Sequence, residues 1–174
     1  AAAAAARYDA IYNRWFLGGI FRKEYPALAL EGLLPHLPAG WEADMEVIGT
    51  PVDWCGLNYY TRKLIAPDPG PWPRTREVDG PLPKTQMGWE IYPEGLDRFL
   101  LRCQAEYSRG LPIFVTENGM ASPAADQVDA EVADPERIAY LAQHLDAVRL
   151  AIAGGANVQG YYCWSLLDNY EWTL

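Results

Sequence analysis

The pentapeptide Val115-Thr116-Glu117-Asn118-Gly119 sets one carboxylate where an apolar segment runs out into a loop. The run before it, Pro112-Ile113-Phe114-Val115-Thr116, is short, β-branched and aromatic, with Gly110 upstream and Gly119 downstream. That pattern predicts a buried strand of the parallel type. A charge at the end of such a strand is costly unless a cation, hydrogen bonds or a ligand compensate it. A carboxylate held in that way can attack an electrophilic carbon and form a covalent intermediate. Glu117 is therefore the leading candidate for a catalytic nucleophile, with an ion pair at the sheet edge as the plainer alternative.

The elements that would position it follow from periodicity. Residues 1–15 read as a helix ending in an aromatic-rich turn, and residues 27–34 as a second, short helix. Residues 52–59 are apolar on both faces, as expected of a strand packed between two layers. A long loop follows, with Pro67, Pro69, Gly70, Pro71 and Pro73, too rich in breakers for a regular element. Leu96, Phe99, Leu100, Cys103 and Tyr107, spaced by three and four, predict a helix that starts near Pro93 and stops at Gly110. Asp134-Pro135-Glu136 gives an N-cap, a proline at the first helical position and an early acidic residue. Ile138, Leu141, Leu145, Val148 and Ile152 would be the buried face of that helix. Gly154-Gly155 ends it, and residues 159–164 form the last strand.

Strands alternating with helices imply a parallel sheet, with functional groups at the strands' carboxyl ends. Asn58 and Tyr60, Glu117, and the stretch from Trp164 to Trp172 all fall at or beyond such ends. In a barrel these three points would line one mouth.

Composition narrows the chemistry. The chain has 174 residues, half of them apolar, with seven tryptophans and eleven tyrosines, enough for a sizeable core. A formal charge of -9 argues against a nucleic-acid partner, which would need a surplus of Lys and Arg. Aromatic rings combined with acidic groups suit sugars, which offer apolar C–H faces and hydroxyl donors. Cys55, Cys103 and Cys163 form no CxxC pair and read as buried free thiols, leaning toward a cytoplasmic, reducing setting. No stretch is apolar enough to span a membrane. The six alanines that open the chain read as a truncation or placeholder. His36 and His144 lack partners at metal-ligand spacing, and neither a metal nor another cofactor is expected. Trp15, Trp41 and Trp54 are expected in core or loop packing. Asp168 and Asn169 suit loop shaping, and residues 126–136 a solvated acidic loop with a helix start.

Five stretches, in order and spacing along nearly the whole chain, resemble glycoside hydrolase family 1, the β-glucosidase and β-galactosidase family. They are Asn13-Arg14-Trp15-Phe16, residues 53–62, residues 87–96, Thr116-Glu117-Asn118-Gly119 and residues 164–172. The resemblance implies a (β/α)8 barrel and a retaining β-glycosidase. In that reading Glu117 is the nucleophile and Tyr60 the phenol that bonds it and helps keep it ionised. Asn58 is the amide beside them, Trp164 the ring under the nonreducing sugar, Glu171 and Trp172 the pair on its outer hydroxyls, and Trp89 a wall of the aglycone site. Glu171 would repel a phosphate, which favours an unphosphorylated substrate.

A retaining glycosidase uses two carboxyl groups. In the family the general acid/base lies in an Asn-Glu-Pro motif, which this sequence does not contain. Three strands of eight are legible, and a complete barrel rarely has fewer than about 200 residues. The expectation is that residues 1–174 are the carboxyl-terminal portion of one barrel domain. The acid/base would then lie outside the chain, and the partner would be the missing amino-terminal part or another copy. The alternative is a catalytically incomplete fragment or sugar-binding remnant.

Overall fold

A computed structural model describes residues 1–122 and 133–170. The chain divides into two compact units, residues 1–52 with 63–80 and residues 53–62 with 81–174.

The second unit carries the sheet. Strands β1 (Cys55–Asn58), β4 (Ile113–Asn118) and β5 (Val158–Cys163) pair in the order β1-β4-β5, all parallel. Helix α5 (Pro93–Cys103), extended by a π-helical turn over Gln104–Ser108, leads into β4, and α6 (Pro135–Ala153) leads into β5. Parallel strands need such crossovers because one strand ends at the edge of the sheet opposite to where the next begins. Alternate residues Cys55, Leu57 and Tyr59 on one strand and Ile113 and Val115 on the next are buried, as are Leu96, Leu100 and Cys103 of α5. The core of this unit therefore lies between one face of the sheet and its helices.

The other face is open among the described residues of the unit. Trp54 is 51% exposed and meets Phe114 edge-on, and Tyr162 is 58% exposed. Two glycines keep this face flat. A Cβ on Gly56 would fall 2.7 Å from the Trp54 ring, and one on Gly160 would fall 2.5 Å from Phe114.

Helix α6 departs from the sequence reading. Its buried residues are Tyr140, His144, Ala147, Val148 and Ala151, while Ile138, Leu145 and Ile152 are 62%, 48% and 50% exposed. The face with most aliphatic bulk is the outer one. Close packing on the sheet selects small residues and two hydrogen-bonding rings instead. Asp134 precedes Pro135 as expected, but its side chain makes no cap bond and pairs with Arg137. Cys55 and Cys103 are buried and free, whereas Cys163, expected inside, is exposed at the end of β5. Trp54, expected in packing, stands on the open face.

The first unit is mostly helical. Helices α1 (Ala2–Asp9) and α2 (Trp15–Arg22) are joined by a π-helical turn, Ala10–Arg14. The expected aromatic turn is thus helical, and the run ends only at Lys23, whose left-handed backbone caps it. Helices α3 (Ala27–Leu33) and α4 (Asp44–Ile48) follow. Tyr25 stacks between Trp15 and Trp41, at 3.7 Å and 5.3 Å between ring centroids, which accounts for two of the expected packing tryptophans. The proline-rich loop contains an antiparallel hairpin, β2 (Leu64–Pro67) with β3 (Thr75–Val78). The breakers occupy its turn, and Pro67 stands at the end of the ladder, where a missing N–H is tolerated. Glu77 of the hairpin accepts from Tyr8 of α1 and from Lys63.

Candidate active site

The exits of β1 and β4 stand at the same level. Cys55, Gly56 and Leu57 pair in step with Ile113, Phe114 and Val115, but Asn58 pairs with Glu117, one residue further on. That extra residue is an irregularity of the bulge type, a common way of aiming a side chain at a sheet rim. Beyond it, Tyr59 N–H donates to Glu117 O at 2.9 Å. The Tyr60 hydroxyl donates to Glu117 Oε2 at 2.6 Å, the length of a charge-assisted O–H···O bond. The Glu117 carboxylate is thus compensated by a phenol, and the alternative of an edge ion pair finds no partner for it among the described salt bridges.

Asn58 lies beside this pair, exposed on the open face. Thr116 Oγ1 donates to its Oδ1 at 2.7 Å, which leaves the NH2 end of the amide directed away from that bond. The Trp89 ring lies 5.5 Å from the Tyr60 ring at an angle of 60°. Its segment is tied to β1 by Glu90, whose carboxylate is only 6% exposed. Arg62 Nε donates to Glu90 Oε2 at 2.7 Å, the Leu82 N–H to Oε1 at 2.8 Å, and Thr61 Oγ1 to Glu90 O at 2.8 Å. The Arg62 guanidinium also sits 4.2 Å over the Tyr92 ring. Its hydrogen bond holds the Glu90 carboxyl below the usual carboxylate range.

Trp164 follows β5 directly and is 45% exposed. Its N–H donates to Asn118 O at 2.8 Å, so the β5 exit is fastened to the residue after Glu117. Gly119 makes this approach possible, because a Cβ there would lie 1.8 Å from Trp164 O. Asn169 Nδ2 donates to Ser165 Oγ at 2.8 Å and Asp168 pairs with Arg137, both in keeping with loop shaping. Glu171 and Trp172 lie outside the described residues, as does most of the acidic stretch before α6.

The structure therefore brings Asn58, Tyr60, Trp89 and Glu117 together, with Trp164 on the neighbouring strand end. Several polar residues around them were not singled out from sequence. Arg62 and Glu90 lie in the motif stretches, yet their pairing joins positions 28 residues apart. Asn118 is wholly buried and bonds Tyr59 O, Tyr140 and Tyr161, a network with no local sequence signal. Burial pushes the Tyr140 phenol up to about 12, and raises those of Tyr59 and Tyr161 as well, so all three stay protonated donors. Among the described residues no cluster of His, Cys, Asp or Glu could hold a metal ion. No described helix is long and apolar enough to cross a membrane.

A carboxylate and a phenol hydrogen-bonded at adjacent ends of parallel strands, with indoles beside them, make up the candidate site. The chain belongs to glycosyl hydrolase family 1, whose family model matches residues 1–174. It is 42% identical over 170 residues to a 1,4-beta-D-glucan glucohydrolase of Thermotoga neapolitana, covering 97% of this chain and 40% of that protein. It is 40% identical to beta-glucosidase A of Thermotoga maritima, with 97% and 38% covered. Among solved structures, a family 1 β-glucosidase from Thermotoga maritima superposes with a TM-score of 0.90 at 38% identity, over 97% of this chain and 38% of that one. The same enzyme in complex with castanospermine gives 0.89 at 39% identity. The chain thus spans about two-fifths of the length of the relatives it matches. Its fold is part of a (β/α)8 barrel, in which β1, β4 and β5 are three of the strands.

Proposed function

We propose that this chain supplies the nucleophile side of a retaining β-glycosidase that hydrolyses unphosphorylated β-glycosides, with the general acid/base lying outside residues 1–174. The observation that carries the reading is the 2.6 Å hydrogen bond from Tyr60 to Glu117 at the rim of the sheet. In the first step a Glu117 oxygen attacks the anomeric carbon, and the bond to the leaving oxygen breaks as the acid/base protonates it. Water, activated by the same group, then releases the sugar with its anomeric configuration retained. Tyr60 stabilises the carboxylate before attack and between turnovers. Asn58 would offer its NH2 group to a sugar hydroxyl near Glu117, Trp164 would stack on the nonreducing sugar, and Glu171 with Trp172 would hold its outer hydroxyls. Trp89 would border the aglycone. A carboxylate at Glu171 favours sugars without phosphate.

The names of the relatives, glucohydrolase and β-glucosidase, support gluco-configured substrates. Neither nucleic acid nor membrane is part of the proposal. A cytoplasmic setting is, supported by three free cysteines. A second reading is favoured by the coverage and by the open sheet face. Residues 1–174 as a separate molecule would be a catalytically incomplete remnant that needs the rest of a barrel, or another copy, over that face.

Proton NMR of the anomeric product from a nitrophenyl β-glucoside, with the full natural chain carrying these residues, tests the proposal. Initial appearance of the β-anomer supports it. Initial appearance of the α-anomer, or no hydrolysis of any β-glycoside, contradicts it.

A further inference from the structure

Tyr140 stands on α6, 80 residues from Tyr60 in sequence, and is 1% exposed. Its hydroxyl bonds both strand exits that carry the candidate pair. It donates to Tyr60 O at 3.2 Å and accepts from Asn118 Nδ2 at 3.1 Å. Asn118, which follows Glu117 directly, gives its other N–H to Tyr59 O at 2.6 Å. Its Oδ1 accepts from the Tyr161 hydroxyl at 2.5 Å, so both ends of the amide are used. The phenol is itself held. The His144 ring stacks on it at 3.9 Å, and His144 Nδ1 donates to Tyr140 O at 2.8 Å.

These bonds stand where the backbone ladder falters. On the β1 side the register shifts between Leu57 and Asn58, and on the β5 side between Val115 and Asn118. Tyr59 O and Tyr60 O leave the regular sheet at this point, and a carbonyl turned inward needs a donor. Asn118 and Tyr140 supply one each. The consequence reaches the site because Tyr60 and Glu117 are the residues that carry, or adjoin, the atoms so held.

We infer that Asn118 and Tyr140 are positioning residues that fix the β1 and β4 exits in register, so that the Tyr60 hydroxyl stays on Glu117. The inference rests on the proposed function, in which Glu117 attacks an anomeric carbon. Its carboxylate lone pair forms the new C–O bond while the bond to the leaving oxygen breaks and that pair departs with the leaving group. Attack of this kind is sensitive to displacements of about 1 Å, which binding of the sugar is not.

The test uses the full natural chain and an activated 2-fluoro-β-glucoside with a dinitrophenolate leaving group, which needs little acid assistance. Its labelling of Glu117 separates a reagent binding constant from a maximal labelling rate. Tyr140→Phe is expected to lower the maximal rate about tenfold while the binding constant stays within about twofold. Tyr161→Phe leaves both Asn118 donor bonds and frees one end of the amide. It is expected to lower the rate about threefold, and it decides the matter should Tyr140→Phe not fold. A labelling rate equal to wild type in a folded Tyr140→Phe, or in Tyr161→Phe if that alone folds, overturns the inference while leaving the proposed function standing. A rise in the binding constant without a fall in rate also overturns it. A wild-type chain that takes no label at all overturns the proposed function, and this inference with it.

Discussion

Glu117 and Tyr60 meet because one extra residue on β4 brings its carboxylate level with the β1 exit, where a phenol is waiting at 2.6 Å. A hydrogen bond to an ionised group is worth about 1.5–3 kcal/mol, so Tyr60→Phe should lower kcat by about ten- to a hundredfold in the full natural chain. Steady-state kinetics on a nitrophenyl β-glucoside would check this, and an unchanged kcat would remove Tyr60 from the chemistry. Glu117→Gln keeps shape and loses the proposed nucleophile, and is expected to lower kcat by more than about a thousandfold. Substantial residual turnover would point to another carboxylate. Both positions are legible in the sequence as polar groups just past apolar strands, while the pairing of Tyr60 with Glu117 is implied there only by the family resemblance. Asn118 and Tyr140 are not legible there, since a bond between α6 and the end of β1 is decided by tertiary packing.

Among the elements, the β4 and β5 exits meet backbone to backbone at Gly119 and Trp164. Gly119→Ala would set a Cβ 1.8 Å from Trp164 O and force the two exits apart. The expected cost is about 2–4 kcal/mol, readable by urea unfolding, and a loss below about 0.5 kcal/mol would mean that the contact relaxes freely. The Arg62–Glu90 pair ties the Trp89 segment to β1 and gives stability a pH dependence. Arg62, with the Leu82 N–H, holds the Glu90 carboxyl below its ordinary value of 4.5, so the unfolded chain binds the proton first as pH falls. The stabilisation is complete above pH 4.5 and is lost as pH falls through the folded value. Glu90→Gln should therefore flatten the acid limb of stability measured by urea unfolding at a series of pH values. An unchanged acid slope would show that the pair contributes none of it. The strand order and α5 were readable from periodicity, because Leu96, Leu100 and Cys103 are both the apolar stripe and the buried one. In α6 these stripes part. Ile138, Leu145 and Ile152 face out, and residues such as Tyr140 and His144, which periodicity ranks as polar, face in. The β2–β3 hairpin was hidden by its own turn, whose prolines and glycine outweighed two four-residue strands in the reading.

At the scale of the molecule, a parallel sheet is normally covered on both faces. Among the described residues of its unit, the face with Trp54, Phe114 and Tyr162 has no helix over it and the outer edges of β1 and β5 are unpaired. A polypeptide of residues 1–174 alone should consequently self-associate and turn over β-glycosides poorly. Sedimentation and a nitrophenyl β-glucoside assay would check both, and a monomer with full activity would contradict the expectation. In the proposed reaction Glu117 forms the covalent bond to the anomeric carbon. Intact mass spectrometry of the full natural chain before and after an activated 2-fluoro-β-glucoside, followed by peptide mapping, tests it most directly. The account predicts one sugar per chain, carried on the peptide that contains Glu117 and released on turnover with an acceptor. A label on another carboxylate, or none on a chain that hydrolyses β-glycosides, would contradict it.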